Sequence, residues 1–142
     1  MEVITTHQHA DFDGLASMLA AKKLYPDAAM VFSGSQEKTI RDFFVQSTEY
    51  LYDFQRLKNI PLNDVKRLIL VDTRQPNRIG KLSQCLKNPG IEVHIFDHHP
   101  DAPNDIKGAH EVIKAVGSTA TIFTQLFQEQ NIPINKDEAT IR

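Results

Sequence analysis

Ile91-Glu92-Val93-His94-Ile95-Phe96-Asp97-His98-His99 is the stretch that decides the fold. Its mostly apolar run, Ile91 to Phe96, stops at a carboxylate followed by two imidazoles, as a buried strand does when its carboxyl end opens onto a site. Two other runs stop in the same way. Glu2 to Thr6 leads into His7-Gln8-His9-Ala10-Asp11-Phe12-Asp13-Gly14, and Leu68 to Val71 leads into Asp72-Thr73-Arg74. Three such strand ends predict one sheet with all three clusters along one edge.

Outward from these runs, short β-branched or apolar segments alternate with segments of helical period. That pattern predicts an α/β fold, a mostly parallel, Rossmann-like sheet with helices on both faces. Val3 to Thr6 is the first strand. Leu15, Met18, Leu19 and Lys22 to Leu24 carry a helix that stops at Tyr25-Pro26-Asp27, because proline disfavours helical geometry in the residue before it. Ala29 to Phe32 is a second strand, and Ser35 is placed to cap a helix from Gln36 to about Gln46. Tyr50 to Phe54 reads as a short edge strand. Leu68 to Val71 is continuously apolar, as expected where both faces of a sheet are covered. Ile79 to Leu86 is expected to be a helix ended by Asn88-Pro89-Gly90, with Cys85 buried among its apolar neighbours. Pro100 to Gly108 is a polar loop, His110 to Lys114 a further strand, and Gly117-Ser118-Thr119 opens a helix through Thr121 to Gln130. Asn135 to Glu138 resembles another helix start. It lies barely one turn before Arg142, which points to a domain of something longer.

At 142 residues and 41% hydrophobic, residues 1–142 suit one domain with its own core. With 16 Lys and Arg against 18 Asp and Glu, the balance lacks the basic footprint that dominates nonspecific nucleic-acid binding. Bound cations can meet phosphates instead. One cysteine excludes a disulfide within the chain. Met1-Glu2-Val3 begins directly in strand-like sequence, so a soluble cytoplasmic protein with no membrane partner is the expectation.

In an open α/β sheet, ligands bind outside the carboxyl ends of the strands, near the point where strand order reverses. His7, Asp11 and Asp13 follow a strand and precede a helix, so their loop can turn several side chains toward one ion. Asp72 can bridge two ions through its two oxygens. His98 can supply a nitrogen, leaving Asp97 to orient a neighbouring imidazole through its ring N–H. Carboxylates with neutral imidazoles and no thiolate suit Mn²⁺ or Mg²⁺, the histidines tilting the choice toward Mn²⁺. Two such ions roughly 3.5–4 Å apart would activate a water and neutralise charge developing on phosphorus.

Single residues also have plainer readings. Arg74 suits either a bidentate phosphate clamp or a surface salt bridge. Gly117-Ser118-Thr119 offers helix N-terminal amides to an anion, or Ser118 simply caps the helix. His94 reads as a partly buried structural histidine. His110, Asp53, Asp64, Asp101 and Asp105 read as surface or turn residues.

These clusters resemble the motifs of the DHH phosphoesterase superfamily, which includes RecJ-type exonucleases, oligoribonuclease/phosphoadenosine phosphatases, cyclic-dinucleotide phosphodiesterases and family II inorganic pyrophosphatases. His7-Gln8-His9-Ala10-Asp11-Phe12-Asp13 is similar to its first motif, His-x-Asn-Pro-Asp-x-Asp, with His9-Ala10 in place of Asn-Pro. Asp72 resembles the single-Asp second motif, and Asp97-His98-His99 the motif that names the family. The resemblance implies that His7, Asp11, Asp13, Asp72 and His98 hold two divalent ions, and that His99 faces the substrate phosphate. It further implies a fourth Asp motif and a smaller substrate-binding domain beyond Arg142. Thr6 through Leu24 and Ser33 to Lys38 also resemble the amino-terminal DHH domain of multidomain bacterial proteins that continue into a CBS pair and a tRNA nucleotidyltransferase/poly(A) polymerase domain.

The resemblance implies hydrolysis of a phosphoester or phosphoanhydride in a nucleotide or short oligonucleotide; joined to the residue readings above, it puts His99, Arg74 and Asp97 in the catalytic group and His99, Arg74 and Ser118 toward substrate. The alternative is a nucleotide- or RNA-sensing module serving a fused nucleotidyltransferase. The partners implied are the substrate and the C-terminal domains of the parent chain, and a homodimer stays open.

Overall fold

The computed structural model of the chain describes residues 1–36, 38, 40–42 and 54–130. Six strands form one sheet: β1 (Glu2–Thr5), β2 (Ala29–Val31), β3 (Phe54–Gln55), β4 (Arg67–Val71), β5 (Glu92–Asp97) and β6 (His110–Ile113). Their order is β3-β2-β1-β4-β5-β6, and every pairing is parallel. The chain builds outward from β1 to one edge, then returns to the other side of β1 with β4. The order therefore reverses between β1 and β4, where doubly wound sheets bind their ligands.

Side-chain alternation divides the core in two. Ile69 and Val71 of β4, with Ile4, Met30 and Phe96, face α1 (Phe12–Leu24) and α2 (Thr119–Gln130). Leu68 and Leu70, with Val3, Val31 and Ile95, face the opposite layer. Asp11 caps α1 by accepting from the Gly14 N–H at 2.9 Å. Gly14 to Ala21 are buried without interruption, since this helix is covered by the sheet on one side and by α2, through Ile122, Phe123 and Phe127, on another.

The second layer differs from expectation. Its longest segment, Gly80–Lys87, is a 3₁₀-helix, and Leu57–Asn59, Leu62–Asp64 and Pro76–Arg78 are shorter 3₁₀ turns. Ile79, Leu82 and Cys85, all fully buried, are spaced by three. At three residues per turn that spacing stacks them on one face, whereas an α-helix would rotate them apart. Burial pushes the Cys85 thiol pKa up, as suits a core residue.

Lys38, Ile40, Arg41 and Asp42 are helical as expected. Gln36, however, bridges Ala10, and the Ser35 hydroxyl meets His9 Nδ1 at 3.1 Å. The expected edge strand is seen from Phe54 on; Tyr50 to Asp53, the helix beyond Asp42 and the start at Asn135 to Glu138 lie outside the described residues. His94 is structural: its Nε2–H donates to Glu92 and its Nδ1 accepts from Tyr25. Among the described residues no helix is long and apolar enough to cross a membrane.

Gly80 sits where the loops behind β1, β2 and β4 converge. Its φ is +54°, and an added Cβ would stand 2.8 Å from Gln8 Nε2 and 2.9 Å from the Ser33 carbonyl. Gly80→Ala is expected to lower stability by about 1–3 kcal/mol, read as a lower urea midpoint at unchanged slope.

Candidate metal centre

The loop after β1 is stitched to its neighbours before it reaches the site. Thr6 Oγ1 donates to the Val71 carbonyl at 2.8 Å, Ser33 Oγ to the Thr6 carbonyl at 2.6 Å, and the Gln8 N–H to the Arg78 carbonyl at 2.7 Å. His7 is thereby held against the end of β4. There Asp72 takes a left-handed φ of +62°, a conformation costing a non-glycine residue about 1–3 kcal/mol. Its N–H still donates to the Phe96 carbonyl, and its carboxylate, in a residue only 3% exposed, enters a cleft of about 690 Å³.

Three strand ends and one helix meet on that carboxylate. His7 Nε2 lies 3.1 Å from Asp72 Oδ2, and His98 Nε2 lies 3.2 Å from Oδ1. Thr119 Oγ1, at the start of α2, donates to Oδ1 at 3.1 Å. Asp11 Oδ1 is 3.8 Å from His7 Nε2, and Asp13 Oδ2 is 3.8 Å from His98 Nε2. His7, Asp11 and Asp72 can each bring one ligand atom within 4.8 Å of the others, and so can Asp72, His98 and His99.

The donors fit divalent ions. His7 Nδ1–H donates to the Gln8 carbonyl at 2.8 Å and His98 Nδ1–H to the Val116 carbonyl at 3.2 Å. In a neutral ring the remaining Nε2 carries only a lone pair, and both lone pairs face the oxygens of Asp72. A positive charge must lie between them, either a proton on each ring or a metal ion. Burial opposes a charged His7, but its hydrogen bonds to Asp72 and Gln8 and the charges of Asp72 and Asp11 win and raise its pKa. Burial and the charge of Asp72 push Asp13 up to about 6, against the pull of the Ala120 and Thr119 amides. Burial pushes Asp72 up as well, yet hydrogen bonds to His7 and Asp13 hold it below the usual range. Without added positive charge, the two carboxylates resist ionising together.

Asp97, 1% exposed, stands behind the ligands. Its Oδ1 accepts from His99 Nδ1 at 2.7 Å and from the His98 N–H at 2.9 Å. His99 is therefore oriented, with its ring half-exposed at the cleft.

The structure gives Arg74 the salt-bridge reading in part: it pairs with the exposed Asp101, but its own guanidinium is only 3% exposed and does not stand at the surface. Nor is it free to clamp a phosphate, because Nη1 donates to Asp97 at 2.7 Å and to the His99 carbonyl, Nη2 to Asp101 at 2.7 Å, and Nε to Asp105 at 3.1 Å. Asp105, read from sequence as a surface or turn residue, closes a turn by accepting from the Ala102 N–H, but its side chain is only 4% exposed. At α2 the anion is internal: Asp13 takes the Thr119 and Ala120 amides at 3.1 and 3.0 Å. Ser118 lines the cleft and caps the helix, accepting from the Thr121 N–H at 3.2 Å. His9 is exposed and turned to Ser35 rather than into the cleft.

Sequence reasoning missed Thr119 as the hydroxyl partner of Asp72; a hydroxyl beside Gly117-Ser118 at a helix start was the available signal. It also missed Asp101 and Asp105 as partners of Arg74, for which no local pattern exists.

Comparison with known proteins agrees with this geometry. The chain is 50% identical over 141 residues to an A-adding tRNA nucleotidyltransferase of Geobacter sulfurreducens and 29% identical to one of Aquifex aeolicus. Each match covers 99% of this chain but only 16% of the relative. An exopolyphosphatase-related protein from Bacteroides fragilis superposes with a TM-score of 0.71 at 15% identity, over 92% of this chain and 40% of that one. A putative family II inorganic pyrophosphatase of Methanococcus jannaschii gives 0.66 at 21% over 93% and 40%, and RecJ of Thermus thermophilus, solved with Mn²⁺, gives 0.51 at 16% over 99% and 20%. At such identities these three establish the fold alone. Residues 2–142 match the DHH family, N-terminal domain, and with its sheet order and histidine–aspartate cluster accounted for, the chain belongs to that family.

Proposed function

We propose that this chain is a divalent-metal-dependent phosphoesterase domain acting on a phosphodiester, phosphomonoester or phosphoanhydride of a nucleotide or short oligonucleotide. The observation that carries the reading is the approach of two imidazole Nε2 atoms to the two oxygens of the buried Asp72. His7 and Asp11 with Asp72 would hold one ion, and His98 and Asp13 with Asp72 a second, Mn²⁺ first and Mg²⁺ next. Bound there, the ions would lower the pKa of a water and neutralise charge on phosphorus. RecJ, whose fold this chain shares, was solved with Mn²⁺.

The remaining work falls to the chain's own side chains. Asp97 fixes the His99 tautomer with the proton on Nδ1, so Nε2 presents a lone pair at the cleft that can take a proton there and then pass it to a leaving-group oxygen. Arg74 acts at one remove as a positioning residue. It ties Asp97 to the loop bearing Asp101 and Asp105, and holds that carboxylate in place beneath His99. Ser118 lines the cleft on the side of α2, where a substrate phosphate would sit.

A second reading is favoured by one observation. The 50% identical relative is an A-adding tRNA nucleotidyltransferase of which this chain matches only 16%. In that setting the domain would bind nucleotide or RNA for a cytoplasmic parent chain without turning it over. Metal binding is common to both readings, and turnover separates them.

By calorimetry the chain is expected to bind Mn²⁺, with Asp72→Asn and His98→Ala each weakening binding about 100-fold or more, since even outer-shell losses cost 10–100-fold. Binding untouched by either substitution would sink the site. In a longer protein carrying the sequence its relatives have beyond the matched part, phosphodiester turnover lost in Asp72→Asn supports the hydrolase, and Mn²⁺ binding without turnover selects the sensing module. Arg74→Met should cost about 3 kcal/mol or more in urea unfolding, because it leaves Asp97 and Asp105 buried without their cation.

A further inference from the structure

Two clefts adjoin the metal centre along the same sheet edge. One, of about 860 Å³, is lined by Gln8, Ser33, Lys58, Gly80, Lys81 and Gln84 among others. The next, of about 620 Å³, is lined by Phe32, Gln36, Arg41, Phe54 and Arg56 among others. Leu57 belongs to both, so they abut. Gln8 directly follows the ligand His7 and donates to the Arg78 carbonyl, and Arg78, two residues before Gly80, lines the metal cleft itself. The backbone bond between Gln8 and Arg78 therefore stands between the middle cleft and the metal cleft.

Charge distinguishes them. The metal cleft is lined by six aspartates, but among the described residues the lining of the other two contains no carboxylate. Arg41, Arg56, Lys58, Arg78 and Lys81 are all exposed, and among the described residues none of them enters an ion pair. The carboxylate next to Arg41, Asp42, pairs with Lys38 instead. In a chain with more acids than bases, five cations that pair with no described carboxylate, beside clefts whose described lining holds no acid, form a local anion-binding surface that the net charge conceals. At the far end Phe32 and Phe54 stack at 4.7 Å and 6°, an aromatic wall of the kind on which bases continue a stack.

We propose that this path is a binding track for a single-stranded oligonucleotide. It rests on the metal-dependent phosphoesterase reading: one phosphate lies at Asp72, neighbouring phosphodiesters meet Arg78, Lys81, Lys58, Arg56 and Arg41, and a base lies against Phe32 and Phe54. Pyrophosphate or a mononucleotide would fill the first cleft and leave those cations unused. The repeating phosphates of a strand use all of them.

The test is fluorescence anisotropy with labelled dinucleotides and 12-mers, as RNA and DNA of one sequence, titrated with this chain in Mn²⁺. The 12-mer should bind at least about tenfold more tightly than the dinucleotide. The triple variant Arg56→Glu, Lys58→Glu, Lys81→Glu should remove that advantage and flatten the slope of log K against log salt by about 2, three contacts at roughly 0.7 each, while leaving Mn²⁺ affinity unchanged. Either sugar satisfies the track, and the preferred one names its natural source. Equal affinity for dinucleotide and 12-mer, or a 12-mer affinity indifferent to the triple reversal, overturns the proposal. Salt-dependent 12-mer binding by a chain that takes up no Mn²⁺ would sink the metal site and leave the track standing.

Discussion

One buried carboxylate organises the carboxyl edge of this sheet. Asp72 ends β4 at the reversal of strand order, in left-handed backbone, with almost no solvent. Desolvation and backbone strain both count against it there. They are offset because its two oxygens receive His7 from the loop after β1, His98 from the loop after β5 and Thr119 from α2. Displace Asp72, and those three elements lose their common point. The arrangement is short of positive charge, so the same geometry that holds the loops together also prepares a place for cations.

A buried cation lies two residues along the chain. Arg74 is buried among Asp97, Asp101 and Asp105, and this group of four carries a formal excess of negative charge beside the ligand cluster. Long-range attraction there favours cations and opposes a bare phosphate. Bound ions would offset that charge, so metal should precede an anionic substrate. Arg74 also accepts the Ile106 N–H on its carbonyl at 2.7 Å, pinning the 97–106 loop by side chain and backbone together. The buried ion pairs thus serve geometry, a use for which such pairs are better suited than for raw stability.

The sheet and its ligand edge were legible because their signals are local. Leu68 to Val71 and Ile91 to Phe96 declare buried strands within a few residues, and polar clusters at their ends need no knowledge of partners. The parallel order confirmed the α/β expectation and put His7 and Asp72 on adjacent strands. Elsewhere the information was nonlocal or ambiguous. Ile79, Leu82 and Cys85 fit a period of 3.6 nearly as well as 3.0 over so short a stretch, and packing under the sheet chose the tighter helix. The fate of Arg74 was set by carboxylates 23 to 31 residues downstream, in a polar loop without periodicity. Ser35 makes the same point in reverse: it was placed to cap a helix locally, and its hydroxyl meets the distant His9 instead.

Charge shows most sharply why a composition sum and a surface can disagree. A formal charge of −2 argued against a nucleic-acid footprint, yet the sum averages over groups that the fold separates. Aspartates gather where β1, β4 and β5 end, while lysines and arginines gather beside the loops after β2 and β3 and along the 3₁₀ layer. Two divalent ions would cancel the formal excess of negative charge that the aspartates, against Arg74 and Arg78, give the first cleft. The first cleft would then no longer repel a phosphate, and every cation beyond it belongs to the chain itself. On this view the acidic cluster and the basic flank are two parts of one electrostatic device, and the acidic part becomes receptive to phosphate only once metal is bound.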